Sequence, residues 1–105
     1  YISTGAAGGW GNYNYIVNRN PEENGVTSVQ KLNGTTLENA GSAKYFCQGN
    51  YIFYEIPLSA LGVSAGTEIQ FKITDNISQF LNIDAFYTSG EAAPIGRLNF
   101  AYKIA

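Results

Sequence analysis

Six aromatic residues stand where they could recognise a ligand: Trp10, Tyr13, Tyr15, Tyr51, Phe53 and Tyr87. A flat ring face stacks against the C–H patches of a sugar, while neighbouring amides and carboxylates take its hydroxyls. Strand aromatics are also core residues, and Tyr13, Tyr15 and Phe53 lie in strand-like stretches, so these three are expected inside. Trp10 sits in the glycine-rich run GAAGGWG, where burial is harder, which leaves it open to a ligand or partner. The two arginines, Arg19 and Arg97, suit bidentate pairing with a carboxylate such as Glu55 or Asp84, or contact with a ligand. Trp10, Tyr13, Arg19, Tyr87 and Arg97 are therefore the candidate carbohydrate-binding residues.

Other chemistries find less material. The chain has no His and no Met, which removes the common acid–base residue and two common metal ligands. Catalysis would rest on carboxylates, and a glycosidase needs two of them flanking one bond. Glu55 and Glu68 fall on strand faces and could meet across a sheet, but no spacing sets their separation, so no enzyme is expected. Asp75, followed by Asn76, and Asp84 could offer oxygens to calcium. Their spacing matches no calcium loop, and capping of turns by Asx side chains is the expected role. No other cofactor is expected. Cys47, the one cysteine, excludes an intrachain disulfide and is expected to be a small buried hydrophobe in Tyr-Phe-Cys-Gln. Asn33-Gly-Thr35 and Asn76-Ile-Ser78 are formal glycosylation sequons.

The 105 residues make one domain, 1–105. Charged residues are only 13% of the chain and the formal net charge is −2, so no cationic field draws phosphates. Neither a nucleic acid nor an anionic membrane is the expected partner. No apolar run is long enough to span a bilayer as a helix, and no signal peptide opens the chain. The chain begins at Tyr1, and a processed protein, an excised domain or a partial chain is expected, with any targeting peptide already removed.

Side chains with such roles must be held by something, and strands are what the pattern supplies. Residues 12–19 alternate, with Tyr13, Tyr15 and Val17 on one side. Tyr1-Ile2-Ser3-Thr4 is a short β-like piece. The turn formers in NPEENG lead into VTSVQKL, where Val26, Ser28 and Gln30 alternate with Thr27, Val29 and Lys31. Asn33-Gly34 marks a turn, and SAKYFCQ, Gly49-Asn50 and YIFYEIP read as strand, turn and strand. Ile52, Tyr54 and Ile56 share one face of that strand. Pro57 to Gly62 reads as one helical turn, Pro at its start and Gly at its end. TEIQFKITD, from Thr67 to Asp75, predicts one strand with Ile69, Phe71 and Ile73 inward and Glu68, Gln70, Lys72 and Thr74 outward. RLNFAYKIA closes the chain with Leu98, Phe100, Tyr102 and Ile104 inward. About seven short strands with close turns argue an all-β, antiparallel β-sandwich of jelly-roll or immunoglobulin-like type.

Three segments carry a family resemblance. They are Gly9-Trp10 with Tyr13 to Arg19, Gly49-Asn50-Tyr51 with Tyr54 to Gly62, and Asp84 to Phe100. Together they resemble DOMON-like β-sandwich domains, similar to the family-nine carbohydrate-binding modules of secreted bacterial glycosidases. Asn14 and Glu91 stand where those domains often carry Asp. They also run some tens of residues longer, with strands ahead of the one that Tyr1 to Thr4 matches. The resemblance thus implies a sandwich lacking its first strands, whose slot a strand of another chain could fill.

Two functional expectations follow. The first is a secreted, extracellular, non-catalytic module binding a polysaccharide or other glycan. The second is a self-assembling extracellular structural subunit, a homo-oligomer or filament joined through edge strands by strand exchange.

Overall fold

A computed structural model describes residues 1–5 and 12–105. The chain is all-β and antiparallel, with nine strands among the described residues. These are β1 (Ile2–Ser3), β2 (Tyr15–Pro21), β3 (Val26–Asn33), β4 (Thr36–Gln48), β5 (Tyr51–Glu55), β6 (Glu68–Phe71), β7 (Ile73–Asp75), β8 (Glu91–Ala93) and β9 (Phe100–Lys103). Seven form one curled sheet in the order β5-β4-β3-β2-β1-β6-β9, and β7 pairs with β8 apart from it. Two short helices, α1 (Leu58–Leu61) and α2 (Ala85–Thr88), complete a sandwich-like arrangement.

Turn chemistry places most boundaries. The β4–β5 hairpin closes over the two residues Gly49-Asn50, with Gly49 at φ 57°, a conformation that costs glycine little. The first hairpin turns one residue later than Asn33-Gly34 suggests: Asn33 pairs with Thr36, leaving Gly34-Thr35 as the loop. Pro57 precedes α1, and Gly62 ends it at φ 63° with its N–H on the last-turn carbonyls. β4 runs 13 residues, longer than SAKYFCQ, with a register shift opposite Val29/Gln30 that bends it.

One face of the sheet buries Ile2, Tyr15, Val29 and Ala43, each from a different strand, beneath Ala60 and Leu61 of α1. Val17, Ile56, Ile69 and Phe71 pack around them. By strand alternation Tyr1 and Ser3 turn to the opposite face. There Tyr1 meets Tyr13 and Phe86 of α2 edge-on, its ring centre 4.8 Å from that of Phe86, while Tyr13 and Phe86 lie tilted to each other.

The stretch Thr67 to Asp75 departs from the single strand its alternation predicts. It breaks at Lys72 into β6 and β7, which join different sheets. Lys72, expected outside, is 1% exposed, and Ile73, expected inside, is 60% exposed. The cause is three backbone carbonyls: Lys72 Nζ donates to Pro94 O at 2.6 Å, Gly96 O at 2.8 Å and Leu98 O at 2.9 Å. Three charge-assisted hydrogen bonds offset the desolvation of one ammonium, whose pKa burial pushes below the ordinary 10.5. Backbone bonds between Tyr1 and Lys72 extend the β1–β6 ladder up to the break.

The last strand also departs from expectation. Ile104 is buried, but Leu98, Phe100 and Tyr102 are exposed, because β9 is an edge strand and nothing among the described residues covers that row. Amphipathic alternation sets which residues share a face; it does not supply the layer that would cover them.

Lys72→Met keeps the length of the side chain while leaving Pro94 O and Leu98 O without this donor and Gly96 O with Tyr87 alone. It is expected to destabilise the fold by about 3 kcal/mol in urea unfolding, whereas Lys31→Met, at an exposed position, should change stability by less than about 0.5 kcal/mol.

Candidate functional site

The sequence-predicted contact residues divide in the structure. Trp10 lies outside the described residues. Tyr13 is buried, and its hydroxyl donates to Asn99 Oδ1 at 2.5 Å. Tyr87 is half-exposed, with its hydroxyl donating to Gly96 O at 2.5 Å, a carbonyl that Lys72 also holds. Arg19 is exposed and lies over an aromatic face, its guanidinium carbon 3.9 Å from the centre of the Phe80 ring. The Phe80 carbonyl in turn accepts from the Tyr1 hydroxyl. Arg97 is exposed, next in the chain to Gly96. The fold therefore brings Tyr13, Arg19, Tyr87 and Arg97 to one side, where segment 76–99 packs on the sheet. The hydroxyls of both tyrosines are committed to holding that segment in place.

Tyr13 bears the electrostatic mark of this packing. Burial, reinforced by the neighbouring Tyr87 and opposed by the hydrogen bond with Asn99, pushes its phenol up to about 12. Tyr1 beside it is also pushed up to about 12, by burial, with Arg19 acting the other way.

Other residues with candidate chemistry are dispersed. Glu55 is on β5 and Glu68 on β6, with four strands between them in the sheet, so they do not meet on neighbouring strands. Asp75 Oδ1 accepts from the N–H of the next residue, Asn76, which stands at φ 56°. Asp84 begins α2 without a side-chain cap. Among the described residues no three His, Cys, Asp or Glu side chains gather as a metal site. Asn33 and Asn76, the sequon asparagines, are exposed. Cys47, expected to be buried, is an exposed free thiol, because it stands at the far end of β4, four residues past Ala43, which α1 covers.

A different surface gathers aromatic rings in the open. Phe46 of β4 and Phe53 of β5 are cross-strand partners, and their rings stack with centres 4.6 Å apart and planes 12° apart. Tyr51 follows at 6.2 Å from Phe53. Exposures are 57% for Phe46, 44% for Phe53 and 72% for Tyr51. Phe53 is thus a surface residue and not the core residue its strand position suggests: β5 is the sheet edge, and the face it shares with Phe46 is uncovered. Beside the ring pair runs a groove of about 490 Å³, bounded by the turn Asn24, Gly25 and Val26 and by Lys44 and Glu55, cross-strand partners in their turn. The groove offers ring edges and faces, one cationic donor, one anionic acceptor and an amide, with no net charge.

Tyr51 and Phe53 are among the aromatics the sequence singles out, but Phe46, Lys44 and Asn24 are not. A signal existed for Phe46. It and Phe53 are equidistant from Gly49-Asn50, so a two-residue turn pairs them. Asn24 had none, since its approach depends on how the β2–β3 connection folds over the sheet.

Among the described residues no helix is long and apolar enough to cross a membrane. Compared with family models, with curated proteins and with solved structures, the chain finds no match.

The raised phenol of Tyr13 sets an alkaline limit. Its folded value near 12 lies above the ordinary 10, so stability is at its full value below pH 10 and falls as pH rises towards 12. The expected loss from this residue is about 2 kcal/mol. Unfolding followed by circular dichroism across that range should show a shallower fall in Tyr13→Phe than in the parent chain; an identical fall would assign the alkaline transition elsewhere.

Proposed function

We propose that this chain is a non-catalytic module that binds a neutral polysaccharide in the groove beside Phe46 and Phe53. One observation carries this: two stacked, solvent-exposed rings lie against a largely apolar groove whose two charges, Lys44 and Glu55, balance. Leaving apolar rings in water is unfavourable unless something covers them, and a sugar pairs C–H patches with hydroxyls in the way this groove pairs rings with donors and acceptors. A nucleic acid would need a basic stripe, and the groove and the whole chain lack the charge for it. The resemblance to DOMON-like carbohydrate-binding domains and the weakly charged, Asn-rich composition support the same function and an extracellular setting. On the side bearing Tyr13, Arg19, Tyr87 and Arg97 both tyrosine hydroxyls are engaged within the fold; the groove keeps Phe46 and Phe53 open to solvent, while its Tyr45 hydroxyl donates to Glu22 O and its Tyr54 hydroxyl accepts from the Asn18 amide.

The test compares the two sides. Phe46→Ala is expected to weaken retention on insoluble polysaccharides, or affinity in gel retardation by soluble ones, about tenfold, equivalent to about 1.4 kcal/mol. Its thermal midpoint should stay within a few degrees, because the side chain is exposed. Arg97→Ala should leave binding unchanged. Loss of binding in Arg97→Ala with none in Phe46→Ala would move the site to the loop after Pro94, and no retention of the parent chain on any neutral polysaccharide would sink the proposal.

A further inference from the structure

Among the described residues nothing pairs with the outer edge of the strand beside that groove. β5 is terminal in the seven-stranded sheet, all five of its residues are exposed, and its sequence, Tyr-Ile-Phe-Tyr-Glu, has no Pro, no Lys and a single charge. Sheet edges are ordinarily protected by such residues, by bulges or by a covering segment. The opposite edge, β9, has one of these protections in Lys103. β5 pairs with β4 without a register shift from Glu55 to Tyr51, so it is a straight, ready template.

We infer that β5 docks a second copy of this chain, antiparallel, about a two-fold axis at Phe53. The hydrogen-bond phase together with the length of β5 selects that centre. The two-residue turn Gly49-Asn50 closes on Gln48 and Tyr51 as a bonded pair, and in an antiparallel ladder bonded pairs alternate with non-bonded ones. Tyr51, Phe53 and Glu55 therefore direct their N–H and C=O towards β4, and Ile52 and Tyr54 direct theirs outward. A two-fold centred on Phe53 sets Ile52 opposite the partner's Tyr54 and Tyr54 opposite the partner's Ile52. Each of these pairs exchanges two bonds, four in all.

Side-chain chemistry agrees with this register. Phe53 meets the partner's Phe53 at a non-bonded position, where cross-strand side chains come closest, and the Phe46–Phe53 stack becomes a row of four rings on one face. On the other face Ile52 packs beside the partner's Tyr54. Glu55, the one charge of the strand, faces the partner's Tyr51 and never its own copy, so no like charges oppose each other across the axis. Shifting the centre by one residue, to Ile52 or Tyr54, keeps the phase but leaves a single bonded pair within β5, two bonds instead of four. An isologous contact of this kind closes at two copies, which distinguishes it from a filament. It shares Phe53 and Tyr54 with the groove of the polysaccharide proposal, whose other walls, Asn24 to Val26 and Lys44, lie away from the axis.

Sedimentation equilibrium of the full chain, up to roughly 200 μM, reads the outcome directly. The expected mass is twice 11.4 kDa at the upper concentrations. Ile52→Pro removes an outward N–H that β4 does not use, and Ile52→Lys places a charge at the seam; both should give a folded monomer by circular dichroism while keeping polysaccharide retention. A second measurement locates the axis. With Cys47→Ser, Phe53→Cys should cross-link to its own copy on mild oxidation, because Cα atoms of a non-bonded pair are within disulfide range, and Glu55→Cys should not. A parent chain monomeric throughout, a dimer that survives both Ile52 substitutions, or cross-linking of Glu55→Cys as readily as Phe53→Cys would each overturn the inference. Loss of retention with the dimer intact would instead count against the groove as a sugar site.

Discussion

The ammonium of Lys72, held by the carbonyls of Pro94, Gly96 and Leu98, ties the two parts of this fold together. Segment 76–99 contains only a three-residue strand, β8, and a four-residue helix, α2, too little to hold its own shape. The side chain that gathers its far end comes from the break between β6 and β7, so one residue both ends a strand and anchors a loop. A buried charge is tolerable there because each donor proton has an acceptor. The Gly96 carbonyl that receives Lys72 also receives Tyr87, and Tyr13 reaches Asn99, so the loop after Pro94 is fastened at several successive points.

That fastening determines which aromatic residues remain open. Tyr1, Tyr13 and Phe86 form the second packed cluster beneath segment 76–99, and the core on the other face belongs to Ile2, Tyr15, Val29 and Ala43 under α1. Both covers sit over the middle of the sheet, and neither extends to β5. The far hairpin is left with Phe46, Tyr51, Phe53 and Tyr54 in water. Groove and bare edge are neighbours for that reason.

Much of the fold was legible in local chemistry. The sequence by itself determined the all-β class, the β4–β5 turn at Gly49-Asn50, the helical turn between Pro57 and Gly62 and the alternation that sets Thr27 and Val29 on one face of their strand. Each of these depends on a φ angle, a missing N–H or a two-residue period, properties that a few adjacent residues possess without help. Only the tertiary structure decided the rest. It turned Lys72 inward and Ile73 outward, left Leu98, Phe100 and Tyr102 uncovered, exposed Cys47 and Phe53, and assembled Phe46, Lys44 and Glu55 with Asn24 into one groove. The physical reason is that burial is a relation between a residue and whatever covers it. For Lys72 the cover is three carbonyls more than twenty residues away, and for β5, at the end of the sheet, no described part of the chain provides one.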